Sequence, residues 1–156
     1  EAGLDALKKL ADAGDPDAQV LFARAQIFNI DSSSTPARRE GGLANDAIKA
    51  LIEPALKKNN AAAYAFAGKL VRRGILYAQD DQLATKLLVK GAELGDVEAM
   101  LLAGKAFDDG LGIAKNPRER LRWWREAARQ GSVPAMEALA SAFATRRSSV
   151  VRHGQR

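Results

Sequence analysis

The side chains that ordinarily run enzymatic chemistry are nearly missing from this chain. It has no cysteine and one histidine, His153. Without cysteine there is no thiol nucleophile, thiolate zinc site, iron–sulfur cluster or disulfide framework. His153 lies in the C-terminal tail, where a Ser-His-Asp arrangement would need it anchored, and it reads as a solvated residue. No HExxH and no cluster of imidazole with carboxylates is present, so no metal site is expected. Gly110-Leu-Gly112 ahead of a helix has the outline of a phosphate cradle. No strand precedes it and no Lys-Ser/Thr follows it, so it reads as a loop needing positive φ. Asp108-Asp109-Gly110 starts like a calcium loop and lacks the later ligand positions. Of the pair Asp80-Asp81, Asp80 suits a helix N-cap. Glu98, Glu119 and Glu126 fall at helix positions that are ordinarily solvated. No two carboxylates are therefore held in contrasting environments, as glycosidase chemistry requires. Trp123-Trp124 is a platform for a sugar or a base, or a pair of core aromatics; packing is the preferred reading. The inventory points away from catalysis and cofactors and toward recognition.

The elements that would present a recognition surface follow from an internal repeat. Gly14-Asp-Pro-Asp-Ala18, Asn59-Asn-Ala-Ala-Ala63, Gly95-Asp-Val-Glu-Ala99 and Gly131-Ser-Val-Pro-Ala135 align along the chain. Ala63, Ala99 and Ala135 are spaced by 36 residues, and Ala18 precedes Ala63 by 45. The nine extra residues fall in the turn-rich stretch from Asp31 to Gly42, which reads as a surface loop at about 29–42. Each unit holds two helices. Ala99, Ala103, Ala106 and Phe107 form one apolar face at helical spacing. Gly104 inside that helix, like Gly68 one unit earlier, implies close approach of a neighbouring backbone, since mid-helix glycine costs roughly 1 kcal/mol. Ala23 and Ala140 hold the same place in the outer units. Asn116-Pro117 is an N-cap followed by proline at the first helical position, and Gly131 stops that helix. Leu121, Trp124 and Ala128 form its inward stripe, with Leu51, Ile52, Leu56 and Leu87, Leu88, Ala92 at matching places. Helices are expected over about 4–13, 16–28, 43–58, 61–73, 80–94, 97–108, 117–130 and 133–146, with a kink at Pro54. No segment alternates with period two, so no sheet is expected.

The third unit reads Ala99-x₃-Ala103-Gly104-x₂-Phe107-x₂-Gly110-x-Gly112-Ile113-x₂-Asn116, then Leu121-x-Trp123-Trp124-x₂-Ala127-Ala128-x₂-Gly131. This resembles the Sel1-like repeat, a relative of the tetratricopeptide repeat. The match is strongest over 95–131, good over 59–95, and degenerate over 1–58 and 131–146. Ala103 replaces a leucine, and Leu76 stands where the second loop glycine belongs. The resemblance implies an all-α, right-handed α/α solenoid of about eight helices, with atypical end units serving as caps. Its extent is 1–146, in units of about 14–58, 59–94 and 95–130 with a half-unit at 131–146; a basic tail of 147–156 follows.

Such solenoids place the first helix of each unit on the inner, concave wall. Residues turned away from the packing stripe there are Val20, Arg24 and Ile27; Ala65, Lys69 and Arg72; Leu101, Lys105 and Asp108; and Glu137 and Ser141. Arg24, Lys69 and Lys105 are equivalent, a row of cations suited to an acidic peptide or carboxylate-bearing polymer, or simply solvating a helix face. The predicted partner-binding set is Arg24, Lys69, Arg72, Leu101, Lys105 and Asp108. What the resemblance implies is a non-catalytic protein–protein scaffold or adaptor holding a protein or peptide partner, in bacteria often for envelope assembly, polysaccharide secretion or host contact. The alternative is a polyanion binder for single-stranded nucleic acid or acidic polysaccharide.

The 156 residues fit one domain, with 47% hydrophobic and 28% charged residues, a globular composition. The net charge is +5. Arg146, Arg147, Arg152 and Arg156 supply +4 of it in a segment without acids, so residues 1–145 are nearly neutral. The basic balance is a tail property, which weakens the case for a whole-domain polyanion binder. That tail is expected to fray or to dock in a larger assembly. No run approaches the ~18 apolar residues of a membrane span. The chain opens on Glu1 and carries no apolar signal segment, reading as a processed form or a piece of something longer. The compartment is open, with bacterial periplasmic or secreted placement favoured over cytoplasmic.

Overall fold

A computed structural model describes residues 2–32, 42–75 and 77–153. Eight helices and no strand occur among them: α1 (Ala2–Asp12), α2 (Pro16–Ser32), α3 (Gly42–Lys57), α4 (Ala61–Arg72), α5 (Asp81–Glu93), α6 (Val97–Asp109), α7 (Pro117–Arg129) and α8 (Val133–His153). Successive helices pack on each other, most extensively α4 on α5 and α6 on α7. First helices of adjacent units also touch, α2 on α4 and α4 on α6. This is the solenoid that the 36-residue period predicts.

Repeated capping chemistry sets the boundaries. The side chains of Asp15, Asn60, Asp96 and Ser132 each accept from the backbone N–H three residues on, at the first-helix start of every unit. Just before them stand Gly14, Asn59, Gly95 and Gly131, all with positive φ, which turns the chain out of the preceding helix. Asp80 and Asn116 cap α5 and α7, with Pro117 in the first turn, as their sequences predict. Leu76 lies outside the described residues, as does the loop stretch 33–41. Residues 29–32 of the expected loop continue α2. α3 runs through Pro54 without interruption.

The core has two joined parts. Val20, Ala23, Ile48, Ile52, Phe66, Leu70 and Val71 pack around α2 to α4. Ala99, Met100, Ala103, Phe107, Trp123 and Ala127 pack around α6 and α7. Each fully buried Leu, Ile, Val or Phe is worth about 1.5–3 kcal/mol against exposure. Both indoles are core, 5% and 6% exposed. The Trp124 Nε1–H donates to the Leu101 carbonyl at 3.2 Å.

Two expectations need correction. What approaches Gly104 is a side chain, not a bare backbone, while Gly68 is met by both the Leu88 side chain and, at 3.0 Å from a Cβ there, the Ala84 carbonyl oxygen. A Cβ on Gly104 would stand 2.3 Å from the Trp124 ring, and one on Gly68 would stand 2.8 Å from Leu88 Cγ. At Gly104 the missing methyl is the seat for the large residue opposite. The second concerns α8, which does not end near 146 but continues as helix to His153. Arg146 occupies the place where Gly110, at φ 73°, terminates α6. With no glycine to adopt the left-handed stop, the helix carries on. One unit earlier, the loop after Gly110 docks on α5, with Thr85 Oγ1 donating to the Leu111 carbonyl at 2.8 Å. The corresponding place beside α7 and α8 is an open cleft of about 540 Å³ lined by Arg120, Leu121, Trp124 and Phe143.

Candidate functional site

The candidate site is the wall made by the first helices of the units, α2, α4 and α6. Arg24, Lys69 and Lys105 each lie six residues past the small residue that opens the repeat, Ala18, Ala63 or Ala99. The three are not alike. Glu98, near the start of α6, receives Lys69 Nζ at 2.6 Å on one carboxylate oxygen and Arg24 Nη2 at 3.1 Å on the other. One carboxylate thus ties three successive units together. Arg24 also stacks over the Phe66 ring, 5.2 Å from its centroid.

Lys105 is exposed and has no ion pair among the described residues. The repeat explains why. Pro134 stands 36 residues after Glu98, so the unit following Lys105 has no acid at the pairing position. Arg72, of the same predicted wall, also has no ion pair among the described residues. Its Nε and Nη2 are shielded from water and meet no acceptor, an arrangement that leaves charged donors unsatisfied. Asp108, at the equivalent place in α6, is held by Arg120 Nη1 at 2.5 Å within its own unit.

Other members of the predicted wall are core. Val20 and Ala65 are 2% and 0% exposed, and Ile27 and Leu101 pack against the core. Neighbouring first helices press together, so the face between them is closed; helical spacing alone cannot distinguish that face from the open one. Glu137 and Ser141 are exposed on α8. Glu98 is the residue that the sequence reading sets aside as solvated, whereas it is half-buried between two cations. A signal was available: among the four equivalent positions, Asp17, Ala62, Glu98 and Pro134, only two carry an acid. The other acid, Asp17, is used similarly, accepting from Asn60 Nδ2 at 2.7 Å.

Burial pushes the Glu98 carboxyl up, but the hydrogen bond and charge of Lys69, with those of Arg24, outweigh it and hold the group below its ordinary value. Burial raises Asp96; the Ala99 N–H opposes this, the Glu98 charge adds to it, and the Arg24 charge and Glu98 N–H oppose it. A depressed acid stabilises the fold above its unfolded pKa, about 4.3, and the contribution is lost as pH falls through the folded value. With side chains 34–39% exposed, the network is worth about 0.5–1 kcal/mol. Glu98→Gln is therefore expected to unfold at lower urea than wild type at pH 7, with the gap closing below about pH 4. Asp96 runs the opposite way, favouring the fold as pH falls, and largely cancels between the two proteins. A gap that persists unchanged at acid pH would contradict an electrostatic role.

Among the described residues no group of three or more His, Cys, Asp or Glu is placed to hold a metal ion. No described helix is long and apolar enough to cross a membrane.

No family model matches the chain. Among curated proteins, the DAP3-binding cell death enhancer 1 of Mus musculus is 32% identical over 74 residues, covering 45% of this chain and 14% of that protein. Among solved structures, a Sel1 repeat protein from Oxalobacter formigenes superposes with a TM-score of 0.73 at 28% identity, covering 90% of this chain and 54% of its own. The protective antigen c5321 of uropathogenic Escherichia coli, which displays the same repeat fold, gives 0.73 at 21% identity over 90% of this chain and 28% of its own. Helicobacter pylori cysteine rich protein B gives 0.63 at 20% identity over 86% and 96%. The chain thus spans about half of the first structure and a seventh of the mouse protein. Its strong structural neighbours are Sel1-repeat proteins, which is consistent with the Sel1-like repeat that residues 95–131 resemble.

Proposed function

We propose that this protein is a non-catalytic scaffold that holds an acidic segment of a partner protein along the wall of first helices. Sel1-repeat neighbours suggest a protein-interaction scaffold in general, and the mouse relative is named for a binding activity. The observation that carries the finer reading is the state of the wall's cations. Glu98 pairs with Arg24 and Lys69, whereas Lys105 and Arg72 have no ion pair among the described residues. Lys105 is exposed, so a partner's acid can reach its ammonium, and charge-assisted hydrogen bonds are among the stronger protein hydrogen bonds. The buried indoles offer no stacking face for bases, which favours peptide over single-stranded nucleic acid. Bacterial envelope or secretion assembly is the setting that the resemblance to Sel1-like repeats implies.

The test is binding of a panel of acidic peptides, read by fluorescence anisotropy, with the double variant Arg72→Gln, Lys105→Glu as control. Binding is expected to weaken at least about tenfold with helicity unchanged, since lost charged hydrogen bonds are worth about 1.5–3 kcal/mol each. Glu98→Gln, which frees two further cations, is expected to retain binding or to strengthen it. Equal binding by the double variant would remove the wall assignment. A generic oligonucleotide bound with steep salt dependence would favour the polyanion reading instead.

A further inference from the structure

A cavity between the first two units lies at the repeat positions where the next pair of units holds an indole. Its floor is apolar, with Ile52 and Leu56 of α3, Ala67 of α4 and Leu87 of α5, and Glu53 and Tyr77 stand at its rim. Its volume is about 200 Å³. Thirty-six residues later, Glu53, Leu56, Ala67 and Leu87 are replaced by Val89, Ala92, Ala103 and Trp123. Ala92, Ala103 and Trp123 share the second core cluster, and Val89 packs against it. Trp123 is 5% exposed. Leu87, in its place one unit earlier, has the smaller side chain and leaves a void. Leu56, larger than Ala92, takes up only part of the difference.

Two features suit this void to an indole from outside rather than to any apolar group. The first is size. An apolar cavity of about 150 Å³ holds benzene, so one of about 200 Å³ has room for a larger ring. The second is an acceptor. The Trp123 Nε1–H is buried and meets no acceptor among the described residues. Val89 offers it none, whereas Glu53, at the equivalent place, offers a carboxylate. Glu53 is exposed and has no ion pair among the described residues. The Tyr77 hydroxyl donates to it at 3.5 Å, a long bond that leaves most of its acceptor capacity unused. Lys49 Nζ lies over the Tyr77 ring, 4.8 Å from its centroid, and steadies that side of the mouth. The mouth is open to solvent, with Tyr77 and Leu83 44% and 36% exposed.

We propose that this cavity is a docking pocket for a tryptophan side chain of a partner protein. The guest ring lies among Ile52, Leu56, Ala67 and Leu87, and its N–H donates to Glu53. Aromatic side chains seated in well-packed pockets are the usual anchors of protein interfaces. The pocket is built mainly by the second helices α3 and α5 and shares no residue with the cationic wall. It requires a protein partner, as the scaffold reading does, but not an acidic one.

The probe is an uncharged capped peptide, Gly-Gly-Trp-Gly-Gly, titrated into the isotope-labelled full chain and followed by amide chemical shifts. Saturable shifts are expected at Ile52, Tyr77 and Leu87, with a Kd on the order of 1 mM for a single anchor. Leu87→Trp gives the second unit the residue of the third and is expected to abolish the shifts and raise the Tm. Glu53→Val, at an exposed position, keeps the test intact if Leu87→Trp does not fold. It is expected to weaken the peptide about five- to tenfold, as loss of a hydrogen bond to a charged group does. The same peptide with phenylalanine has no ring N–H to donate and is expected to bind wild type and Glu53→Val equally. No shifts at these residues up to about 10 mM peptide would overturn the proposal. So would wild-type affinity in folded Leu87→Trp, or a Glu53→Val loss shared by both peptides. Free indole binding where the peptide does not would overturn it too, since that marks a small-molecule pocket. The uncharged probe does not report on the wall, whose acidic-peptide binding is read with its own variants.

Discussion

Gly112→Ala is expected to cost about 3–5 kcal/mol, a large share of the about 5–15 kcal/mol that holds an ordinary domain together. Gly112 has φ 65°, where an L-residue is strained by roughly 1–2 kcal/mol. The rest comes from what the new methyl meets. A Cβ would lie 2.1 Å from the Asp81 carbonyl oxygen, 2.2 Å from its carbon and 2.5 Å from the Gln82 nitrogen. All three are backbone atoms in the first turn of a capped helix, and none can rotate aside. The loop must lift from α5, which forfeits the Thr85–Leu111 hydrogen bond, worth about 1 kcal/mol. Gly95→Ala is the control. Gly95 has φ 99° and nothing within 4 Å of its Cβ position, so that variant carries backbone strain alone. Urea unfolding of the two measures the difference. Equal losses would mean that the loop does not grip α5.

Gly104→Ala is expected to destabilise by about 2 kcal/mol, although alanine is the better helix former by roughly 1 kcal/mol. The added methyl would fall 2.3 Å from Trp124 Cδ1 and Nε1. The indole is buried, and its N–H is committed to the Leu101 carbonyl, so it moves only by giving up that bond. Trp124→Leu alone leaves a void and is expected to cost about 2–4 kcal/mol. Together the two changes recreate the alanine–aliphatic combination found at the equivalent repeat positions of the first unit, where Ala23 and Ile52 share one core cluster. The double variant is therefore expected to be more stable than the sum of the single losses predicts, with a coupling of at least about 1 kcal/mol. Losses that add within about 0.5 kcal/mol would show that ring and glycine do not depend on each other.

Both results concern positions that the sequence marks and the packing explains. A glycine recurring at 36 residues within a helix announces a tight contact; only the fold identifies the intruder as an indole rather than a backbone. The helix starts were legible because capping is local. Asp80, Asn116 and Pro117 act on N–H groups two or three residues away, and a one-dimensional reading sees everything that matters to them. The end of α8 was less legible. The period suggested a stop near 146, whereas Arg146 lacks the freedom in φ that Gly110 uses to make one.

The wall divides in the same way. Charge type and spacing were readable in advance: three cations at one repeat position, and a nearly neutral body carrying a basic tail. Which of those cations is free was not readable. That depends on Glu98 reaching Lys69 across 29 residues and Arg24 across 74, and on Pro134 denying Lys105 the same partner. Val20 and Ala65 had the right periodicity for an open wall and were buried by the neighbouring first helix. Period, caps and helix count are properties of short stretches, set by hydrogen bonds within a turn or two and by the alternation of apolar faces. Ion-pair partners, buried faces and the seat of each aromatic ring are set by distances between separate units, and those exist only once the solenoid has stacked.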